Sequence, residues 1–154
     1  MDVNNINPIL NAFTEILPQL GLEKVERKDL SLAKSTLKND GIAVNIGVVG
    51  TLKGAIIIEM SLDSAKAIAS KMMMGMEVPE FDAMAQSAIS EMGNMICANA
   101  CTNFAKVGIT GLNISPPTLM IGDGDVVLFA PATIVVNFLV DNIPIKVAVG
   151  LYSG

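Results

Sequence analysis

The segment Asp82-Ala-Met-Ala-Gln-Ser87-Ala-Ile-Ser-Glu91-Met-Gly-Asn94-Met-Ile-Cys97-Ala98-Asn-Ala100 decides how the chain is read. At about 100° per residue, Ser87, Glu91, Asn94 and Ala98 fall on one narrow helical stripe. Ala85, Ile89, Met92, Ile96 and Ala100 fall on the opposite face, as a helix packed against a core requires. Asp82 supplies an N-cap, and the helical signal fades near Gly108. A carboxylate and a carboxamide are thereby presented side by side on a rigid element. That pairing is the constellation in the chain best suited to act on something outside it.

Outward from this helix, the flanking segments read as a mixture of helices and strands. Asn4 to Leu20 carries Ile6, Ile9, Leu10, Phe13, Ile16 and Leu17 at helical spacing. Pro8 is tolerated in its first turn, and Pro18 and Gly21 end it. Val25 to Lys34 alternates loosely, as an edge strand does. Ile42–Val49 and Gly54–Met60 are β-rich and joined by Gly50-Thr-Leu-Lys-Gly54, a hairpin signal. Ser61 caps a helix expected to run through about Met74. Beyond the central helix, strands are expected at Thr110–Ser115, Thr118–Gly122, Thr133–Val140 and Pro144–Tyr152, with turns at Asp123-Gly124 and Asp141-Asn142. The order predicts one α+β domain over residues 1–154, with long helices on one face of an antiparallel or mixed β-sheet. The last hairpin is apolar on both faces. Left at an edge, it would pair with a second copy of the chain; placed centrally, it would be core.

Bulk composition narrows the function classes. The longest charge-free apolar run, Val126 to Val140, is too short to span a bilayer and is broken by Pro131 and Asn137, so no membrane insertion is expected. Met1-Asp-Val-Asn-Asn lacks the positive start of a secretory signal, and the expected location is cytoplasmic. With a net charge of −5, one Tyr, no Trp and no Lys/Arg cluster, a nucleic-acid partner is excluded. The chain has no His, which removes the commonest general base and metal ligand. Cys97 and Cys101 sit one turn apart on the central helix, a spacing poorly suited to a disulfide, and read as small buried hydrophobes. Two thiols without His make no zinc site, and no metal site is expected.

The spacing Ser87-x3-Glu91-x2-Asn94 resembles the Ser/Asp-x3-Glu-x2-Asn signature of the CheC/CheX/FliY phosphatases, and of their CheX-type members most. The Met- and Gly-bearing loop Met72-Met-Met-Gly-Met-Glu-Val-Pro-Glu-Phe-Asp82 and the small-residue continuation Met95-Ile-Cys-Ala98-Asn-Ala100 extend the resemblance, with Ala98 standing where the family often carries Gly. CheC-type members repeat the motif on their first helix. Here Pro18 stands three residues after Glu15, where a repeat would need Asn, so one site per chain and the CheX type are expected.

The resemblance implies a CheC/CheX-like fold, a homodimer, and a helix that docks on a phosphorylated, CheY-like response regulator to speed hydrolysis of its phospho-aspartate. It implies Glu91 and Asn94 as catalytic residues and Ser87, Glu91 and Ala98 as partner contacts. No cofactor of the chain's own is implied, the Mg²⁺ being held by the regulator. The chemistry is consistent: an acyl phosphate needs one water placed in line, and a carboxamide orients water without adding charge near an anion. Glu91, one turn away, is suited to pair with the regulator's lysine. Of Met72, Met73, Met74 and Met76, at least two are expected in the core, and the acidic stretch Glu77 to Asp82 reads as a solvated connection. Two rival readings remain: a non-catalytic dimeric assembly module, and a small-ligand domain, which would need a pocket of converging polar groups that the sequence does not reveal.

Overall fold

The computed structural model, described over residues 5–33, 35–128, 130 and 132–153, begins with helix α1 (Asn7–Ile16). Pro8 lies in its first turn, where a missing N–H costs no helical hydrogen bond. Pro18 follows in a short 3-10 turn, Leu17–Leu20, and Gly21 closes it in the left-handed region at φ 95°. The expected helix start at Asn4, the expected strand end at Lys34 and the run-breaking Pro131 lie outside the described residues. The chain continues through β1 (Val25–Ala33), β2 (Thr36–Asn39), β3 (Ile42–Val49), β4 (Leu52–Met60), α2 (Leu62–Met72) and α3 (Ala83–Lys106). It ends with β5 (Asn113–Ile114), β6 (Thr118–Ile121), β7 (Gly124–Val127), β8 (Thr133–Val140) and β9 (Ile143–Ser153).

The main sheet runs in the order β1-β8-β9-β4-β3, with β5 and β6 both pairing with the far side of β3. Every described pairing is antiparallel. Strand alternation sends Val44, Ile46, Ile56, Ile58, Val136, Phe138, Val147 and Val149 to one face, where all are buried. The three helices cover that face with Ile9, Phe13, Ile68, Ile89, Met92, Ile96 and Phe104. The rings of Phe13 and Phe138 stack with centroids 5.1 Å apart, joining α1 to β8. The α+β arrangement expected from the element order is the one observed, with β1 at the sheet edge.

The last hairpin is not an edge. β8 lies between β1 and β9, and β9 between β8 and β4. Its second apolar face is explained by a ribbon of β2 and β7 lying on the outer side of the sheet, where Leu37 packs with Ala43, Ile57, Val135 and Ala148. Neither ribbon strand is legible in the sequence, since each has only four residues and β7 includes Gly124 and Asp125. Asp141 (φ 49°) and Asn142 (φ 65°) form the tight turn of the β8–β9 hairpin, both in the left-handed region such turns demand. The Lys24 amide donates to Asp141 Oδ1 at 2.9 Å and Lys71 Nζ lies 3.2 Å from Oδ2; these two contacts hold the carboxyl below its usual range.

α2 stops at Met72 rather than Met74, because Met74 (φ 59°) and Gly75 (φ 85°) turn left-handed and the Gly75 amide reaches back to Ser70 O at 2.8 Å. Met72 and Met73 pack on the core, while Met74 and Met76 are exposed. Of the strand expected at Thr110–Ser115 only Asn113–Ile114 forms. Among the described residues, no helix is long and apolar enough to cross a membrane.

Candidate functional site

The 24 residues of α3 make a rod of about 36 Å. Asp82 caps it as expected, its Oδ1 accepting the Ala85 amide at 2.9 Å. Ala85, Ile89, Met92, Gly93, Ile96, Cys97 and Ala100 are buried against the sheet. Ser87, Glu91 and Ala98 are exposed and Asn94 is half-buried, so the stripe predicted from spacing faces outward as one line. Among the described residues, no side-chain hydrogen bond or ion pair engages Ser87, Glu91 or Asn94.

Gly93 sets the height of this line. A Cβ there would sit 3.1 Å from Val44 Cγ1 and 3.4 Å from Ile46 Cδ1, so the helix backbone lies directly on β3. Beside the stripe rises a wall that sequence reasoning missed. The Ser115 amide donates to Gly47 O at 2.9 Å, and the Gly47 amide donates to Ser115 Oγ at 2.8 Å. This reciprocal pair fixes Ser115, Pro116 and Pro117 against the helix. Between wall and helix lies an open cleft of about 550 Å³, lined by Ser87, Ser90, Glu91, Asn94 and Ile114 to Pro117. The available signal was the pair Pro116-Pro117, a stiff segment that donates no backbone hydrogen bond and so ends strand pairing.

Burial pushes the Cys97 thiol up to about 12, with the neighbouring Cys101 adding to it, and burial raises Cys101 as well. Both stay protonated at neutral pH and neither is an activated nucleophile. Among the described residues, no three His, Cys, Asp or Glu side chains come together to hold a metal. Glu15, the α1 carboxylate, is exposed but engaged by α3: Asn103 Nδ2 donates to Glu15 Oε1 and to Pro8 O, each at 3.0 Å. The structure brings Glu91 and Asn94 to a solvent-facing cleft and pairs Glu15 with Asn103.

A helical layer on one face of an antiparallel sheet is the fold of the CheC and CheX structures. A CheC-like superfamily protein from Shewanella sp. PV-4 superposes with a TM-score of 0.87 at 20% identity, covering 99% of this chain and 100% of that one. CheX in the CheX–CheY–BeF3–Mg2+ complex from Borrelia burgdorferi matches with a TM-score of 0.78 at 25% identity, covering 99% of this chain and 100% of that one. In sequence, residues 42–130 match the family described as chemotaxis phosphatase CheX. The CheY-P phosphatase CheX of Thermotoga maritima is 30% identical over 123 residues, 79% of this chain and 78% of that protein. The chain belongs to the CheX family of chemotaxis phosphatases.

Proposed function

We propose that the chain accelerates hydrolysis of the phospho-aspartate on a CheY-like response regulator, with Asn94 orienting the attacking water and Glu91 pairing with the regulator's active-site lysine. The observation that carries this reading is the exposed Glu91/Asn94 pair, three residues apart on one helix face and free of partners within the described chain. Two relatives support the substrate class: the Thermotoga maritima protein is a CheY-P phosphatase, and the Borrelia burgdorferi CheX was solved with CheY, BeF3 and Mg2+.

The geometry suits in-line hydrolysis. Asn94 is half-buried between α3 and the Ser115–Pro117 wall, which restricts its rotamers before a partner arrives. Its amide can accept from and donate to one water without bringing charge to the phosphoryl group. Glu91 lies about 5–6 Å away on the helix surface, far enough to avoid the phosphate and near enough to grip a lysine behind it. Ser87 and Ala98, small and exposed, let the helix approach closely. In this mechanism the Mg²⁺ belongs to the regulator, the chain supplies no covalent nucleophile, and the reaction is cytoplasmic. A homodimer, if formed through the sheet, would use the free edge of β1, where Leu30 and Leu32 are 55% and 71% exposed.

The test is phosphate release from a CheY-type regulator charged by acetyl phosphate and Mg²⁺. The chain should accelerate release, and Asn94→Ala should lose roughly 100-fold in kcat, the scale of a misplaced reacting group. Equal acceleration by both proteins would overturn the mechanism. Acceleration by neither would favour the non-catalytic assembly module.

A further inference from the structure

The wall beside Asn94 hangs on one residue. Val48 pairs with Ile114 and Asn45 with Thr118, so between these rungs Ile46 and Gly47 of β3 face Ser115, Pro116 and Pro117. The extra residue makes a β-bulge, a device that re-aims side chains and is common beside active sites. Both main-chain groups of Gly47 go to Ser115. The carbonyl accepts the Ser115 amide at 2.9 Å, and the Gly47 amide donates to Ser115 Oγ at 2.8 Å. In a regular antiparallel rung the second bond would end on the carbonyl of the facing residue. Here the hydroxyl takes that place, and the chain turns away from β3 into the diproline. The same hydroxyl donates to Pro116 O at 3.3 Å. A Cβ on Gly47 would lie 3.2 Å from Ser115 Oγ, so a side chain there would crowd the bond.

Strand β3 therefore carries both sides of the cleft. Val44 and Ile46 seat α3 at Gly93, and Gly47 holds the wall. Asn94 follows Gly93 and lines the cleft together with Ser115, Pro116 and Pro117. Each proline fixes its own φ and keeps the residue before it extended, so the wall has few ways to yield once Ser115 is anchored. We propose that Ser115 is a positioning residue for Asn94: its hydroxyl holds the Pro116–Pro117 wall at the distance that keeps the Asn94 carboxamide in one orientation across the cleft. The catalytic consequence rests on the phosphatase reading, in which Asn94 orients the attacking water.

The test joins kinetics to NMR on the full chain. Ser115 is exposed, so Ser115→Ala should remove the hydroxyl and leave the protein folded. With a CheY-type regulator charged by acetyl phosphate and Mg²⁺, it should lower kcat about tenfold and leave KM within about twofold, as a misplaced reacting group does. Ser115→Thr, which keeps the hydroxyl, should recover most of that loss. In the Asn94→Ala background Ser115→Ala should cost nothing more, because a positioning residue acts only through the group it positions. Without any regulator, the Asn94 side-chain amide should have a high NMR order parameter in the parent and in Ser115→Thr, and a lower one in Ser115→Ala. An Asn94 amide that does not respond to Ser115→Ala overturns the proposal. So does a raised KM at unchanged kcat, which would make the wall a contact for the regulator instead. A parent chain that fails to accelerate release while its Asn94 amide still responds to Ser115→Ala refutes the phosphatase reading and supports the positioning role.

Discussion

Substituting Gly93 by alanine sets helix propensity against packing, and the structure decides which wins. In an isolated helix the change would stabilise by about 1 kcal/mol. Here the new methyl would lie 3.1 Å from Val44 Cγ1, against an ordinary carbon–carbon contact of about 3.5–4.0 Å. Val44 is fully buried, sits on β3 opposite Ile58, and is β-branched, so it cannot turn aside. Either α3 or β3 must move by about 0.5 Å. Overpacking of this kind costs about 1–3 kcal/mol. The expected net effect of Gly93→Ala is therefore a loss of about 1 kcal/mol, or about 2–4 °C in Tm for a chain of this size.

A double-mutant cycle in urea isolates the cause. Val44→Ala alone should cost about 2–3 kcal/mol through lost burial and the cavity left behind. In the Gly93→Ala background the new methyl occupies part of that cavity, so the pair should cost at least about 1 kcal/mol less than the sum. Because α3 is lifted, Asn94 moves relative to the Ser115–Pro117 wall, and kcat should fall more than KM changes. A Gly93→Ala protein more stable than the parent, with effects additive to Val44→Ala, would refute the close seating of α3 on β3.

Glu91→Gln should raise KM for the phosphorylated regulator about tenfold and alter kcat less, since it removes the charge of an anchoring pair; steady-state kinetics read both. Glu59 is 5% exposed, and desolvation raises its carboxyl above the ordinary value of 4.5, although the Asp40 amide at 3.2 Å and Lys146 oppose the shift. Its ionisation therefore costs stability as pH rises through the folded-state value. Glu59→Gln should accordingly be more stable than the parent at pH 7, with the gain vanishing below about pH 4.5, as urea midpoints at the two pH values will show. Leu32→Lys places a charge on the exposed β1 edge and should shift any sheet-mediated dimer to monomer by sedimentation velocity, at less than about 0.5 kcal/mol cost in monomer stability.

Periodicity carried most of the helical layer. The stripe of Ser87, Glu91, Asn94 and Ala98 lies where 100° per residue puts it, and both predicted caps, Ser61 and Asp82, accept the amides of Ser64 and Ala85. What escaped the sequence depends on partners distant along the chain. β2 is four residues long and forms only because β7, beginning 85 positions beyond its last residue, pairs with it. The Ser115–Pro117 wall owes its position to hydrogen bonds with Gly47, 68 residues away. The edge reading of the last hairpin failed for the same reason, since β1 and β4, the strands that flank it in the sheet, are distant along the chain.

Asparagine shows the same limit inside a single helix. α3 carries Asn94, Asn99 and Asn103, and residue type alone gives no ground for ranking them. The fold does rank them. Asn103 is 8% exposed and spends its amide on Pro8 O and Glu15 Oε1, while the Asn99 Nδ2 is buried without a partner among the described residues. Only Asn94 is half-open to solvent beside a carboxylate on its own face. The α1–α3 pair thus contains two Glu/Asn couples of opposite character. Glu15 and Asn103 are closed on each other at 3.0 Å, and reaching a second molecule would first break hydrogen bonds worth about 0.5–1.5 kcal/mol each. In the proposed mechanism Glu91 and Asn94 would meet a partner without that cost. A second site of this kind on α1 would need Glu15 released as well as a carboxamide in place of Pro18, so the packing agrees with the motif's expectation of one site per chain.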